Sequence, residues 1–204
     1  MTRLVLARHS QSEYNALGRF TGWADPPLTA EGRKQADALG SCLQRNGLLP
    51  RAVYSSPLQR AHTTAKIACH RLNVAPDAVV TAEALRERNT GALTGVCKAT
   101  ARSTYGVDMI SRWKVDGEVE PLGGETMSQV GRRMHDFVYS HALYECEVND
   151  VVLLISHSNA IKSFFNWLGI DIGLNAGSLS QDHLILFDLR ASNPSLKFIS
   201  CGYQ

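Results

Sequence analysis

Two apolar runs set the limits on what this chain can become. Leu4-Val5-Leu6-Ala7 and Val151-Val152-Leu153-Leu154-Ile155 contain no alternating polar residue. A strand with one wet face alternates, and a strand covered on both faces does not. Both runs therefore predict buried strands of a largely parallel sheet. Each run ends in the same way, the first in Arg8-His9-Ser10 and the second in Ser156-His157-Ser158. In open α/β sheets, ligands bind beyond the carboxyl ends of the strands. The two histidines occupy that position and are expected to meet in one site.

The rest of the chain alternates helix and strand signals. Residues 16–28 contain Gly18, Gly22, Pro26 and Pro27 and predict a loop. Thr29, with Glu31 in the first turn, predicts a capped helix with Ala36, Leu39, Gly40 and Leu43 at helical spacing, closed by Gly47 and Pro50. Residues 52–55 predict a second strand. Ser56-Pro57-Leu58-Gln59 predicts a helix start with Ser56 as cap and Pro57 at the first helical position. Residues 79–81 predict a short strand. Between 87 and 124 regularity is weak apart from a short helix at 99–105, and this stretch predicts a lid or sub-lobe. Thr126-Met127-Ser128-Gln129 is a capping box opening a helix to about residue 144, with Met127, Val130, Met134 and Phe137 as its buried stripe. After the second strand, Ile161, Phe164, Phe165 and Leu168 share a helix face, and 183–189 and 197–201 predict closing strands. This alternation predicts a three-layer α/β/α sandwich with a mostly parallel central sheet, one unit spanning 1–204.

Composition excludes several function classes. Of 204 residues, 44% are hydrophobic and 20% charged, which is ordinary for a globular protein. A net charge of +2 with no Lys/Arg block argues against nucleic acid as a partner. No apolar run reaches membrane-spanning length. Five cysteines (Cys42, Cys69, Cys97, Cys146 and Cys201) include no CxxC pair, so free thiols and a reducing, cytoplasmic location are expected.

The strand-end residues point to phosphate chemistry. An imidazole with an unprotonated nitrogen can attack phosphorus, and His9 is the leading candidate. Ser10 or Ser12 would cap the helix that follows. Arg8, and Arg60 near the start of the next strand's helix, have the fork geometry that matches phosphate oxygens. His157 could donate to a phosphoryl oxygen. Glu87, in Arg86-Glu87-Arg88, is the one carboxylate proposed as general acid or base, and the competing reading is a solvated charged turn. A lone histidine is more often a core residue; the repeated strand-His-Ser context favours function.

These residues resemble a known pattern. Arg8-His9-Ser10-x-Ser12-Glu13-x-Asn15 resembles the Arg-His-Gly signature of the histidine phosphatase superfamily. Arg19-Phe20-Thr21-Gly22-Trp23-x-Asp25-x-Pro27-Leu28-Thr29-x-x-Gly32 is similar to its cofactor-dependent phosphoglycerate mutase branch. Ser55-x-x-x-x-Arg60-Ala61, Glu87-Arg88-x-x-Gly91-Ala92-Leu93-x-Gly95, Gly123-Gly124-Glu125-Thr126 and His157-x-Asn159 follow in family order. The resemblance implies a phosphoglycerate mutase-like fold and a phosphohistidine mechanism without metal. His9 would be the nucleophile, with Arg8, Arg60 and His157 as the phosphate pocket and Glu87 as the proton donor. Asn15, Thr21, Gly22, Arg88 and Asn159 would contact phosphate or substrate.

The departures bear on substrate. The mutase pattern continues Glu-Arg with His-Tyr, where this chain has Asn89-Thr90. Its lid carries an Arg-Arg pair after a tryptophan, where Trp113 is followed by Lys114 and Val115, leaving Lys114 as the lid cation. The glycines beside both histidines are Ser10 and Ser158 here, which would narrow the pocket or hydrogen-bond the phosphoryl group. The leading expectation is 2-/3-phosphoglycerate interconversion, with 2,3-bisphosphoglycerate as phosphodonor and no permanently bound cofactor. The alternatives are a phosphatase acting on another small phosphate ester, and a silent regulatory protein that kept the pocket. The partner is a small phosphorylated metabolite, with a homodimer allowed by the resemblance alone.

Overall fold

The computed structural model describes residues 2–115, 120–144, 146–147, 149–173, 179–188 and 195–202. The first apolar run is β1 (Arg3–Arg8), followed by the single turn α1 (Glu13–Ala16) and the long α2 (Ala30–Arg45). Then come β2 (Ala52–Ser55), α3 (Gln59–Arg71) and β3 (Val79–Thr81). Helices α4 (Lys98–Tyr105), α5 (Val107–Val115) and α6 (Met127–Phe137) lead to β4 (Val151–Ser156) and α7 (Ser158–Trp167). Strands β5 (His183–Asp188) and β6 (Ser195–Ser200) close the sheet.

The strand order is β3-β2-β4-β1-β5-β6. The first four strands in sequence run parallel; β5 is antiparallel to β1, and β6 to β5. Both faces are covered, which is why β1 and β4 lack alternation. Leu4 and Leu6 point into a core with Met134, Phe164 and Phe165 from α6 and α7. Val5 and Ala7 point into the opposite core with Leu39, Leu43, Ala61 and Ala65 from α2 and α3. The result is an α/β fold of three layers.

The segment after β3 has its own small apolar cluster. Leu93, Ala101, Ile110 and Trp113 pack together with Phe20 and Val96. Helix α5 was not expected there. Gly106, with φ of 78°, turns the chain between α4 and α5.

Three local expectations need correction. Ser56 does not cap α3: the helix starts at Gln59, and the Ser56 hydroxyl accepts from Leu58 N at 3.3 Å. The cap comes from elsewhere in the chain, because Asp25 Oδ1 accepts from Gln59 N at 2.7 Å. The α6 capping box at Thr126 forms as expected, but α6 ends at Phe137 and continues as a π-helical turn, Val138–Ala142. The last strand is Ser195–Ser200, so Cys201 lies beyond it; Leu189 is outside the described residues. Among the described residues no helix is long and apolar enough to cross a membrane.

Candidate active site

β1 and β4 are parallel neighbours, with Arg8 opposite Ser156. Both chains leave the sheet at the same edge, and His9 N still donates to Ser156 O at 2.9 Å. The next side chains therefore stand together. The rings of His9 and His157 are 5.0 Å apart between centroids, with their planes at 60°.

The hydrogen bonds of His9 define its protonation state. Nδ1 is 2.7 Å from Ser10 O, a group that can only accept, so Nδ1 carries the proton. Nε2 then holds a lone pair and accepts from Arg60 Nε at 3.3 Å. Burial first, then the charges of Arg60 and Arg8, hold the imidazole pKa well below its ordinary value. His9 is thus neutral at pH 7. Its turn is tied to α3: Ser10 N donates to Thr64 Oγ1 at 3.1 Å, and that hydroxyl donates to Arg60 O at 2.7 Å.

Arg60 is fully buried at the second position of α3. Its Nη1 and Nη2 donate to Ala24 O at 2.7 Å and Gly22 O at 2.9 Å. Burial draws its pKa down to about 10, against the opposing pull of Glu87 and Asp25, so it remains a cation at neutral pH. Arg8 donates from Nη1 to Leu179 O at 2.8 Å, and Leu179 N donates to Ser158 Oγ at 2.8 Å. Arg8 Nε and both ring nitrogens of His157 are buried without a partner among the described residues. An unpaired buried polar group costs about 1–3 kcal/mol. His157 is also held neutral, by burial first and then by Arg60, His9 and Arg8.

Glu87 is buried, so the reading as a solvated turn fails. Its Oε1 accepts from Arg88 N at 2.8 Å, and its charge acts on Arg8, Arg60 and Arg88 together. These groups line a cavity that opens to solvent. Arg8, His9, Arg60 and Glu87 line it together with the apolar side chains of Phe20, Leu93, Ile110 and Trp113.

Asn15, Thr21, Gly22, Arg88, Ser158 and Asn159 also line the cavity. Asn15 Oδ1 accepts from Ser12 N and from Gln181 Nε2, both at 3.2 Å, so Ser12 rather than Ser10 caps α1. Gly22 has φ of 47°, and a Cβ there would come 2.3 Å from Thr90 Oγ1, which fixes glycine at this approach. Arg88 braces the lid instead of standing free: Nε donates to Glu125 O at 2.6 Å, and Nη1 to Trp113 O. Ser10 and His157 are buried and are not among the residues lining the cavity, although the His157 ring stands next to that of His9. Ser10 O accepts from His9 Nδ1 and Ser10 N donates to Thr64 Oγ1. Neither Ser10 nor Ser158 has positive φ, so serine fits both turns without backbone strain. The side chain of Lys114 lies outside the described residues.

Sequence reasoning missed three cations that line this cavity, Arg19, Lys98 and Lys162. Lys162 was hidden in an apolar helix, although Ser158, Asn159 and Lys162 share one helical face and so carry a readable signal. Asn89 turns its side chain to Gly91 N at 2.9 Å, whereas Thr90 lines the cavity with its hydroxyl 2.9 Å from that of Thr94. Among the described residues no group of three His, Cys, Asp or Glu side chains is placed to hold a metal ion.

The arrangement offers a neutral imidazole lone pair, two buried guanidinium groups, orphaned ring nitrogens and a nearby carboxylate. Known proteins resemble this chain over most of its length. Residues 4–197 match the histidine phosphatase superfamily (branch 1). The 2,3-bisphosphoglycerate-dependent phosphoglycerate mutase of Parvibaculum lavamentivorans is 30% identical over 191 residues, covering 94% of this chain and 87% of that one. Among solved structures, a mycobacterial glucosyl-3-phosphoglycerate phosphatase in complex with VO3 superposes with a TM-score of 0.82 at 25% identity, covering 97% of each chain. The phosphoserine phosphatase of Entamoeba histolytica in complex with 3-phosphoglyceric acid shares the fold, with a TM-score of 0.79 at 23% identity over 98% of each chain.

Proposed function

This chain belongs to branch 1 of the histidine phosphatase superfamily and is an enzyme, and on that premise we propose that it moves phosphoryl groups through Nε2 of His9 as a phosphoglycerate mutase. One observation carries the reading. The Nδ1–Ser10 O bond leaves the His9 lone pair on Nε2, beside Arg60 in a buried pocket. That nitrogen attacks phosphorus as the bond to the leaving oxygen breaks. Arg8 and Arg60 compensate charge on the non-bridging oxygens, and a ring N–H of His157 donates to one of them. The Glu87 carboxylate takes the proton of the incoming phosphate monoanion and gives it to the leaving oxygen as the bond breaks. In a mutase, phospho-His9 then passes the group to the other hydroxyl of a three-carbon acid, with 2,3-bisphosphoglycerate as the phosphodonor that primes His9. Lys98, Lys162 and Arg19 support a second anionic group on the substrate. The protein acts on a small phosphorylated metabolite, with no nucleic acid or membrane partner.

A phosphatase reading has its own support. Arg88 is committed to the lid backbone and Thr90 is bonded to Thr94. The site therefore has fewer free donors with which to hold a three-carbon acid in two orientations, and water would take the phosphoryl group from His9. Purified protein incubated with 3-phosphoglycerate, with and without 2,3-bisphosphoglycerate, separates the two. Stimulated formation of 2-phosphoglycerate is expected. Release of inorganic phosphate alone would replace the mutase with the phosphatase, and failure of His9 to take an acid-labile phosphoryl label would overturn both.

A further inference from the structure

Trp23 is 41% exposed, so burial does not account for an indole at this position. Its ring N–H donates to the main-chain carbonyl of Glu87 at 2.8 Å, a contact across 64 residues of sequence. The same carbonyl takes a second donor, Arg133 Nη2, at 3.0 Å. Arg133 is in turn held by Glu125, with Nε–Oε1 at 2.9 Å and Nη2–Oε2 at 3.0 Å. Arg86 lies over the indole at 5.1 Å from the ring centroid.

Trp23 sits in a turn closed by Ala24 N donating to Thr21 O at 2.9 Å. The carbonyls on either side of it, Gly22 O and Ala24 O, receive the two terminal nitrogens of Arg60. This four-residue turn thus grips the phosphate-side arginine with its backbone and the Glu87 segment with its one aromatic side chain. We propose that Trp23 is a positioning residue: its N–H sets the distance of the Glu87 carboxyl from the phosphoryl group held at His9. The inference rests on the reading of Glu87 as proton donor. It predicts that the N–H matters for protonating the leaving oxygen and not for binding phosphate.

The test compares hydrolysis of p-nitrophenyl phosphate, whose leaving group needs no proton, with that of an alkyl phosphate, whose leaving group does. Trp23→Phe keeps an aromatic ring and removes the donor. Its kcat on the alkyl ester should fall by about tenfold, part of the 10²–10⁴ that general acid catalysis supplies. Its kcat on the aryl ester, and inhibition by inorganic phosphate, should stay within about twofold. Trp23→His overlays the five-membered ring of the indole and restores an N–H donor. It should recover much of the loss, and it reads the same contrast if the Phe variant folds poorly. Glu87→Gln is measured in parallel. If Glu87→Gln loses activity equally on both esters, the proton-donor role falls and this inference with it. If Glu87→Gln discriminates between the esters and neither Trp23 variant does, only the present inference is overturned. A weakened phosphate inhibition in Trp23→Phe would also overturn it, by showing that the turn serves Arg60 alone.

Discussion

Acidifying the protein from pH 7.5 to 5 should cost it more stability than its carboxylates explain, and most of the excess should trace to two residues. His9 and His157 are 3% and 0% exposed. Burial, aided by Arg60 and Arg8, holds both pKa values well below ordinary in the folded state. An unfolded histidine titrates near pH ~6.5. Below that pH the unfolded chain binds protons that the native site refuses, so stability falls as the pH drops. Above it neither state is charged and the contribution is constant. Each histidine adds a slope of up to about 1.4 kcal/mol per pH unit. Between pH 6.5 and 5 the pair removes up to about 4 kcal/mol, a large share of the ~5–15 kcal/mol that holds a typical fold. Urea unfolding followed by circular dichroism, in phosphate-free buffers spanning this range, measures the slope. Phosphate must be absent because an anion in the pocket would stabilise the native state independently. His9→Asn and His157→Asn should each flatten the slope below pH 6.5 by about 1.4 kcal/mol per unit, and the double variant should lose both increments. A double variant with the parent's slope would refute the claim that the site is built from neutral, proton-refusing imidazoles.

Other expectations follow from single contacts. Asp25→Ala removes the cap that α3 receives from a distant loop and should cost about 1 kcal/mol in urea unfolding, more than Ser56→Ala. Gly131→Ala should cost about 1–3 kcal/mol, because the added Cβ would lie 2.5 Å from Ser163 O and 2.9 Å from Trp167 Cβ where α6 meets α7. Inorganic phosphate should raise the melting temperature, and Arg60→Met should abolish the rise. Cys97 should be alkylated before the other thiols, as read by peptide mass mapping. The Ala99 and Thr100 amides at the start of α4 lower its pKa, whereas burial raises Cys69 to about 11 and pushes Cys201 up further.

Much of the site could be read before the fold was known, because its principal parts lie where regular structure ends. A short apolar run without alternation, ended by polar and small residues, reads as a doubly covered strand, and the residue after such a strand in a parallel sheet faces the ligand edge. That placed His9 and His157, and the helix after the second strand placed Arg60 near its start. What stayed hidden has no local period. The cap of α3 lies 34 residues upstream at Asp25, and the clamps on the Glu87 carbonyl come from Trp23 and Arg133, 64 and 46 residues away. No window of sequence contains both partners of such contacts. Helix α5 escaped because its apolar positions serve a small satellite cluster, so the stripe is short. Ser10 and Ser158 stand where the resembled pattern has glycine, and the backbone has positive φ at neither, so the side chain strains neither turn.

The strand order also has a consequence for how the protein comes off the ribosome. β1 is made first, yet both of its neighbours, β4 and β5, lie beyond residue 150. At about 5–20 residues per second, on the order of ten seconds pass between the emergence of β1 and that of its first partner. Throughout that interval the central strand of the sheet is an apolar segment with both edges unpaired, the condition that invites misassociation. Only when β4 inserts between β1 and β2 do the two histidines meet. The joining of the two histidines and the pairing of this exposed apolar strand therefore arrive in the same folding event.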